Sequence, residues 1–337
     1  MIEIDGSEGE GGGQVLRTSL ALSVVTGQPF RLFNIRAKRS NPGLQRQHLT
    51  CVQAARDISG AEVSGGAIGS RDLTFTPGPV RAGRYRFAVG TAGSASLVLQ
   101  TVLAPLLHAD AASDLTLEGG THNAWAPPFD FLEHTFLPLL ACMGPRVELR
   151  LERHGFYPVG GGALSARVVP GHEWRAFKLL EREQEPEWSA TALLSKLPDK
   201  VGEREIKVVQ RKLQQKGKRF KVQQVESPGP GNAVVIRADC GNVCEVFTGF
   251  GKRGKPAEQV AKDAAREAGN WAKTGAPVGE HLADQLLIPM ALGAGGRFRT
   301  VEPSGHTRTN IETIRRFLEV AIEIEQTDGV WEIRVKP

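Results

Sequence analysis

Ile2-Glu-Ile-Asp-Gly-Ser-Glu-Gly-Glu-Gly-Gly-Gly-Gln14 opens the chain. Alternating apolar residues predict a strand over Ile2–Asp5, the glycines break it, and a helical spacing of apolar residues takes over from Gln14 to Thr26. A strand at Phe30–Ile35, a basic loop and a helix over Leu44–Ser59 come next. Strands near Ala61–Val63 and Asp72–Thr76 complete the order β-α-β-α-β-β within about eighty residues.

The order then repeats. Tyr85–Val89 reads as a strand, Ser94–His108 as a helix, Leu115–Glu118 as a strand and Pro128–Met143 as a helix, before strands Arg146–Arg153 and Ala163–Val169. A third round starts with a strand at Trp174–Leu180 and is interrupted. Its first helix, Gly279–Leu292, comes only after roughly ninety residues, followed by strand Arg297–Glu302, a helix beyond His306, and strands Val320–Glu325 and Val330–Val335. A unit repeated three times implies three sheet-and-helix layers packed together, since one copy would leave a face of its sheet bare.

The expected fold class is therefore α+β, an α/β two-layer architecture of three β-α-β-α-β-β repeats, with a smaller α/β domain inserted in the third. The repeats fall at about 1–80, 81–170, and 171–182 joined with 277–337. Residues 1–182 and 277–337 thus make a large domain and 183–276 a small one. The insertion reads as a strand, helix Val201–Gln215, three strands (Arg219–Val225, Ala233–Asp239, Val243–Thr248) and helix Ala257–Ala272. It holds 17 Lys and Arg against 12 Asp and Glu, so it could carry the chain's whole surplus of +5.

That surplus permits a polyanionic partner without demanding one. The 337 residues are 40% hydrophobic and 23% charged, as in an ordinary soluble protein. No apolar run approaches the roughly 18 residues of a membrane span, and no signal peptide is visible at Met1. Four scattered cysteines do not make a disulfide scaffold, and Cys240 and Cys244 lack a second ligand pair for zinc. A reducing cytoplasm fits best.

Packing three units around one centre brings corresponding loops together. Gly6–Gly13 surrounds Glu10 with glycines and is followed by Gln14 and Arg17. It lacks the Lys of a P-loop, and it serves equally as a flexible turn or as a close approach to a ligand. Its counterparts are Gly90-Thr-Ala-Gly-Ser94, with Gln100 beyond it, and the helix start that bears Asp284 and Gln285. Before the second helices stand Arg36-Ala-Lys-Arg-Ser-Asn-Pro-Gly43 with Gln47 and His48, then Asn123-Ala-Trp-Ala-Pro-Pro-Phe-Asp-Phe131, then Glu302-Pro-Ser-Gly-His-Thr-Arg-Thr-Asn310. Arginines suit phosphate oxygens, and the aromatic and proline faces suit a base or a core. His306 at a helix start could attack phosphorus beside unpaired backbone N–H groups, or it could be a solvated surface residue. Together these loops describe a nucleotide site better than any one does singly.

Glu8-Gly-Glu-Gly-Gly-Gly-Gln-Val-Leu-Arg17, Pro42-Gly-Leu-Gln-Arg-Gln-His-Leu49 and His154-Gly-Phe-Tyr-Pro-Val-Gly-Gly-Gly162 resemble segments of the RNA 3′-terminal phosphate cyclase family. So do Leu282-Ala-Asp-Gln285 and Ser304-Gly-His-Thr-Arg-Thr-Asn310. The resemblance runs over nearly the whole chain and is weakest in the insertion. It implies repeats like the C-terminal domain of translation initiation factor 3, and ATP-dependent closure of an RNA 3′-phosphate to a 2′,3′-cyclic phosphate. It also implies that His306 carries AMP covalently and that an RNA(3′)pp(5′)A end forms on the way.

By the same resemblance Glu10 binds Mg²⁺ or Mn²⁺, and Arg17, Arg36, Arg39, Gln47 and His48 hold phosphates or the RNA end. Gln100 joins them, while Pro127, Phe131, Asp284 and Gln285 frame the adenosine. His281 stands where members often have a tyrosine stacked on adenine, and Phe250 offers a further wall. RNA 3′-phosphate ends and ATP are the implied partners, with no membrane; monomer and homodimer are both open. The alternative is a non-catalytic or nuclease-like relative in ribosomal RNA processing, which lacks the histidine that His306 supplies. An enolpyruvyl transferase needs no such histidine, and no Lys-x-Asp-Gly stretch supports a lysine ligase.

Overall fold

A computed structural model describes residues 1–171, 173–327 and 329–337. The first group of elements is β1 (Ile2–Asp5), α1 (Gly13–Thr26), β2 (Phe30–Phe33), α2 (Arg46–Ser59), β3 (Glu62–Ser64) and β4 (Leu73–Thr76). The second is β5 (Arg84–Ala88), α3 (Ala95–Leu107), β6 (Ser113–Gly119), α4 (Phe129–Phe131), a π turn (Leu132–Phe136), α5 (Leu137–Cys142), β7 (Arg146–Arg153) and β8 (Gly162–Val169). After β9 (Phe177–Leu179) come β10 (Glu187–Ser195), α6 (Asp199–Leu213), β11 (Phe220–Gln224), β12 (Gly231–Asp239), β13 (Cys244–Phe250) and α7 (Ala257–Thr274). The chain ends with α8 (Glu280–Leu292), β14 (Gly296–Thr300), α9 (Gly305–Phe317), β15 (Ala321–Thr327) and β16 (Val330–Lys336).

These strands form four mixed four-stranded sheets, and with the helices they make an α+β fold. Three sheets share one strand order, β1-β2-β4-β3, β5-β6-β8-β7 and β9-β14-β16-β15. In each, the first pair is parallel and the other two are antiparallel. The fourth sheet, β11-β10-β12-β13, has a parallel β10–β11 pair bridged by α6 and is packed by α6 and α7.

Helix α1 is buried on nearly every side through Val15, Leu16, Leu20, Leu22 and Val24, because it packs against α2, α3 and α9 at once. Burying those aliphatic side chains gives each about 1.5–3 kcal/mol relative to exposure, which makes α1 the spine of the molecule. Among the described residues no helix is long and apolar enough to cross a membrane.

Several element ends differ from expectation for local reasons. The second strand stops at Phe33 because Asn34 and Arg36 both take left-handed backbone angles, with φ of 54° and 53°. Helix α2 starts at Arg46, since Gln45 and His48 close a reciprocal cap ahead of it. The expected Pro128–Met143 helix is divided by its π turn. Pro138 has no N–H to donate and its ring crowds the carbonyl four residues back, so the preceding turn widens. Trp174, expected in a strand, instead stacks on His108 with ring centroids 5.0 Å apart.

Candidate active site

Polar side chains gather where α1, α3, α8 and α9 come together. His306 is the second residue of α9, whose Ser304 cap accepts a hydrogen bond from the Thr307 amide at 3.3 Å. Its ring is exposed, yet Nδ1 lies 3.0 Å from Gln14 Oε1 on the first turn of α1. The Gln14 Nε2 group donates to Asp284 Oδ1 at 2.7 Å. Gln285 Nε2 donates to Asp284 Oδ2 at 3.1 Å, and Gln100 Nε2 donates in turn to Gln285 Oε1.

This chain of amides has a direction. A carboxylate only accepts, so Asp284 turns the Gln14 amide nitrogen toward itself and leaves Oε1 to face the histidine. Oε1 can only accept, so the proton of a neutral His306 ring sits on Nδ1 and the lone pair on Nε2. Burial pushes the Asp284 carboxyl above the usual range, opposed by the Gln14 amide, His306, Asn310 and Arg17. Asn310 anchors the assembly, donating to the Asp284 carbonyl at 3.3 Å and accepting from Thr18 Oγ1 at 2.8 Å.

The glycine loop closes against the start of α9. Gly9 and Gly11 adopt φ of 54° and 57°, and a Cβ on Gly9 would fall 2.3 Å from Thr309 Oγ1. Thr309 Oγ1 accepts from the Glu10 amide at 3.2 Å. The Glu10 carboxylate comes so near that a Cβ on Gly305 would sit 2.3 Å from its Oε1. Neither α1 nor α9 carries an acidic residue in its first turn, and α1 has no side-chain cap. Two helix N-termini with their partial positive charge thus meet beside His306, which favours an anion there.

The cations line the same rim. Arg39 Nη2 donates to the Glu10 carbonyl at 3.1 Å. Arg36 is turned onto its own loop, donating to the carbonyls of Asn41 at 2.6 Å and Gly43 at 3.0 Å. Burial lowers the Arg17 guanidinium, which shares the space above Gly13 with His48 Nε2. His48 is held near pKa 3, first by burial and then by Arg17 and Arg36, so its ring is neutral. Its Nδ1 accepts from the Gln45 amide at 3.1 Å, leaving Nε2 as a donor toward the site. Gln47 Oε1 accepts from the Ser94 amide at 2.7 Å, which ties α2 to the cap of α3.

Glu10, Arg17, Arg39, Gln47, His48, Gln100, Asp284, Gln285 and His306 thus lie on linked elements. The residues expected at the base make no side-chain hydrogen bond to that network among the described residues. Phe131 is 3% exposed and belongs to the hydrophobic core, and Pro127 is half-buried in the loop ahead of it. His281 keeps 69% of its side chain exposed, with Nε2 3.5 Å from Glu267. Phe250 is half-buried against the core at the end of β13. Gln14, Thr309 and Asn310 stand in the quoted segments but were not among the expected site residues. Their signal is a polar side chain on the apolar face of a helix start.

A histidine between two helix N-termini, with amides behind it and guanidiniums beside it, makes a site suited to an anionic substrate. A family model for RNA 3′-terminal phosphate cyclase matches residues 8–324. An RNA 3′-terminal phosphate cyclase of Koribacter versatilis (strain Ellin345) is 50% identical over 330 residues, covering 98% of this chain and 93% of the relative. Proteins of the same description from Ectopseudomonas mendocina (strain ymp) and Ralstonia nicotianae (strain ATCC BAA-1114 / GMI1000) are each 49% identical. They cover 97% and 99% of this chain and 95% and 96% of their own lengths. The chain belongs to the RNA 3′-terminal phosphate cyclase family.

Proposed function

We propose that this protein is an ATP-dependent RNA 3′-terminal phosphate cyclase working through a histidine adenylate. The observation that carries the reading is the Asp284–Gln14–His306 relay, which leaves Nε2 of His306 free to react. In the first step the Nε2 lone pair forms a bond to the α-phosphorus of ATP, and the bond to the pyrophosphate oxygen breaks. The Nδ1 proton stays on the ring, held by Gln14. An oxygen of the RNA 3′-phosphate then takes the AMP from Nε2. Last, the neighbouring 2′-hydroxyl attacks the 3′-phosphorus and AMP departs, the hydroxyl proton passing to solvent. Nucleophile and electrophile share one ribose in that step, so the effective molarity is already large.

Arg17, Arg39 and the N-termini of α1 and α9 neutralise phosphate charge during transfer. The family resemblance alone assigns Arg36, Gln47 and His48 to the phosphates or the RNA end, and Pro127, Phe131, His281 and Phe250 to the base. Among the described residues no cluster of three His, Cys, Asp or Glu could cage a metal. A lone carboxylate at Glu10 fits Mg²⁺ or Mn²⁺ carried largely by substrate phosphates and water, and the ion would supply charge neutralisation there.

The same reading treats residues 183–276 as an inserted domain, supported by the separate β11-β10-β12-β13 sheet. It places the enzyme in the cytoplasm, supported by four cysteines that stand as free thiols. Incubation with α-labelled ATP and a divalent cation tests it. The protein should acquire an acid-labile, alkali-stable label that His306→Ala abolishes. Label that survives His306→Ala, or none on the wild type, refutes the histidine adenylate.

A further inference from the structure

Loops 90–94, 123–127 and 154–162 meet at Ala92. Asn123 donates its side-chain amide to the Ala92 carbonyl at 2.5 Å. Gly160 approaches so closely that a Cβ there would stand 2.7 Å from the Ala92 Cα. The 154–162 loop continues onto residues 228–229, where a Cβ on Gly161 would lie 2.8 Å from Pro228 and one on Gly229 2.5 Å from Val159. In the other direction Ser94 is bonded to Gln47 at 2.7 Å. One surface therefore runs from the rim of the candidate site to the segment between β11 and β12.

Its loops carry apolar groups that the fold leaves bare. Trp125 is 96% exposed at a left-handed backbone angle of 67°, Tyr157 is 72% exposed and Val159 49%. His122, His154 and Phe156 stack on one another, the two histidine rings 5.2 Å apart. Alongside is a cleft of about 450 Å³ lined by Arg153, Lys196, Glu226 and Ser227, among others. Arg153 spends Nε on the Gly161 carbonyl at 2.6 Å, and Lys196 reaches the Pro228 carbonyl at 2.5 Å. Both charges are thus placed by backbone carbonyls rather than by carboxylates, with Glu226 offsetting one of them. Ser227 is 9% exposed, and its hydroxyl has no partner among the described residues.

Exposed rings beside fixed cations suit single-stranded nucleic acid. Every base has a face that stacks, and cations follow the backbone whatever the sequence. We propose that this surface holds the nucleotides upstream of the RNA 3′-phosphate, with Trp125 and Tyr157 stacking on bases and Arg153, Lys196 and Ser227 holding a backbone phosphate. The inference rests on the reading of the site as an RNA 3′-end enzyme. It extends that reading to substrate length.

The test uses the full-length protein and 3′-phosphorylated RNAs of two and twelve nucleotides, with binding followed by anisotropy and labelling by ATP measured in parallel. The wild type should bind the longer RNA more tightly. Trp125→Ala should weaken that binding about five- to hundredfold and leave labelling by ATP unchanged. Arg153→Gln with Lys196→Gln should reduce the slope of log affinity against log salt by about 0.7, the loss of one phosphate contact on a single strand. Equal binding of both lengths by the wild type, or variants that bind like it, overturns the proposal. Loss of ATP labelling in Trp125→Ala also overturns it, because the ring would then serve the nucleotide. A wild type that binds long RNA but never takes label sinks the cyclase reading and leaves this surface standing.

Discussion

Replacing Glu245 by Gln removes a buried acid that supports the helix carrying Asp284. Glu245 on β13 is 2% exposed, and its carboxyl accepts from the Gly279 amide at 2.5 Å, at the N-cap of α8. Burial raises its pKa from 4.5 to about 8; the Gly279 bond and Arg182 pull it down, and Glu267 adds to the rise. The folded state therefore binds this proton more tightly than the unfolded chain does. The stability that the neutral group provides is whole below pH about 4.5 and is lost as pH climbs through 8. Each pH unit across that window is worth about 1.4 kcal/mol, so at pH 7 the acid form costs about 3 kcal/mol relative to a group that never ionises. Glutamine keeps the acceptor for Gly279 and cannot ionise. Urea midpoints of wild type and Glu245→Gln between pH 5 and 8 should diverge steadily, the variant gaining. Taking the difference between the two proteins cancels every titration they share. A difference that stays flat with pH would refute the argument, whatever its sign, by showing that the carboxyl is solvated or compensated.

Gln14→Leu should slow labelling by ATP about three- to tenfold, the worth of one hydrogen bond, and should leave an unpaired oxygen on Asp284; initial rates at saturating ATP decide it. Gly13→Ala would set a Cβ 2.4 Å from His48 Nε2 and should cost about 1–3 kcal/mol in urea unfolding. Stability like the wild type's would mean that His48 gives way freely. His48 is held near pKa 3 against an ordinary 6.5, so the stability it supports is present above about pH 6.5 and drains as pH falls toward 3. Urea midpoints between pH 4 and 7 should therefore fall less steeply for His48→Gln than for the wild type.

Strands and helices were legible because each has its own periodicity and each loop its own breaker. The ends that moved did so for reasons spread over several residues. Gln45 and His48 cap α2 reciprocally, which no single residue announces. Asn34 and Arg36 take left-handed angles because the loop bonds back on itself through Arg36 and the carbonyls of Asn41 and Gly43. The widened turn before Pro138 was foreseeable in kind, since an interior proline disturbs a helix, though not in its form.

The candidate site was legible in its charged members and in Gln47, Gln100 and Gln285 but not in Gln14, and the repetition of one strand order explains both. Gln14, Gln100 and the Asp284–Gln285 pair stand on α1, α3 and α8, each the helix that precedes the second strand of one of the three like sheets. Packing α1 against α3 and α9 turns these starts toward one another, so residues 270 positions apart come to bond directly. Nothing local marks Gln14 as different from any other polar residue after a glycine run. The helices that follow the second strands depart from that symmetry. One supplies Gln47 and His48, one is broken by a π turn and buries Phe131, and one supplies His306. Similar helices thus hold the ring in position while dissimilar ones furnish its chemistry. A motif around His306 can therefore point to the proposed nucleophile, whereas the tautomer assigned to it depends on Asp284 acting through Gln14.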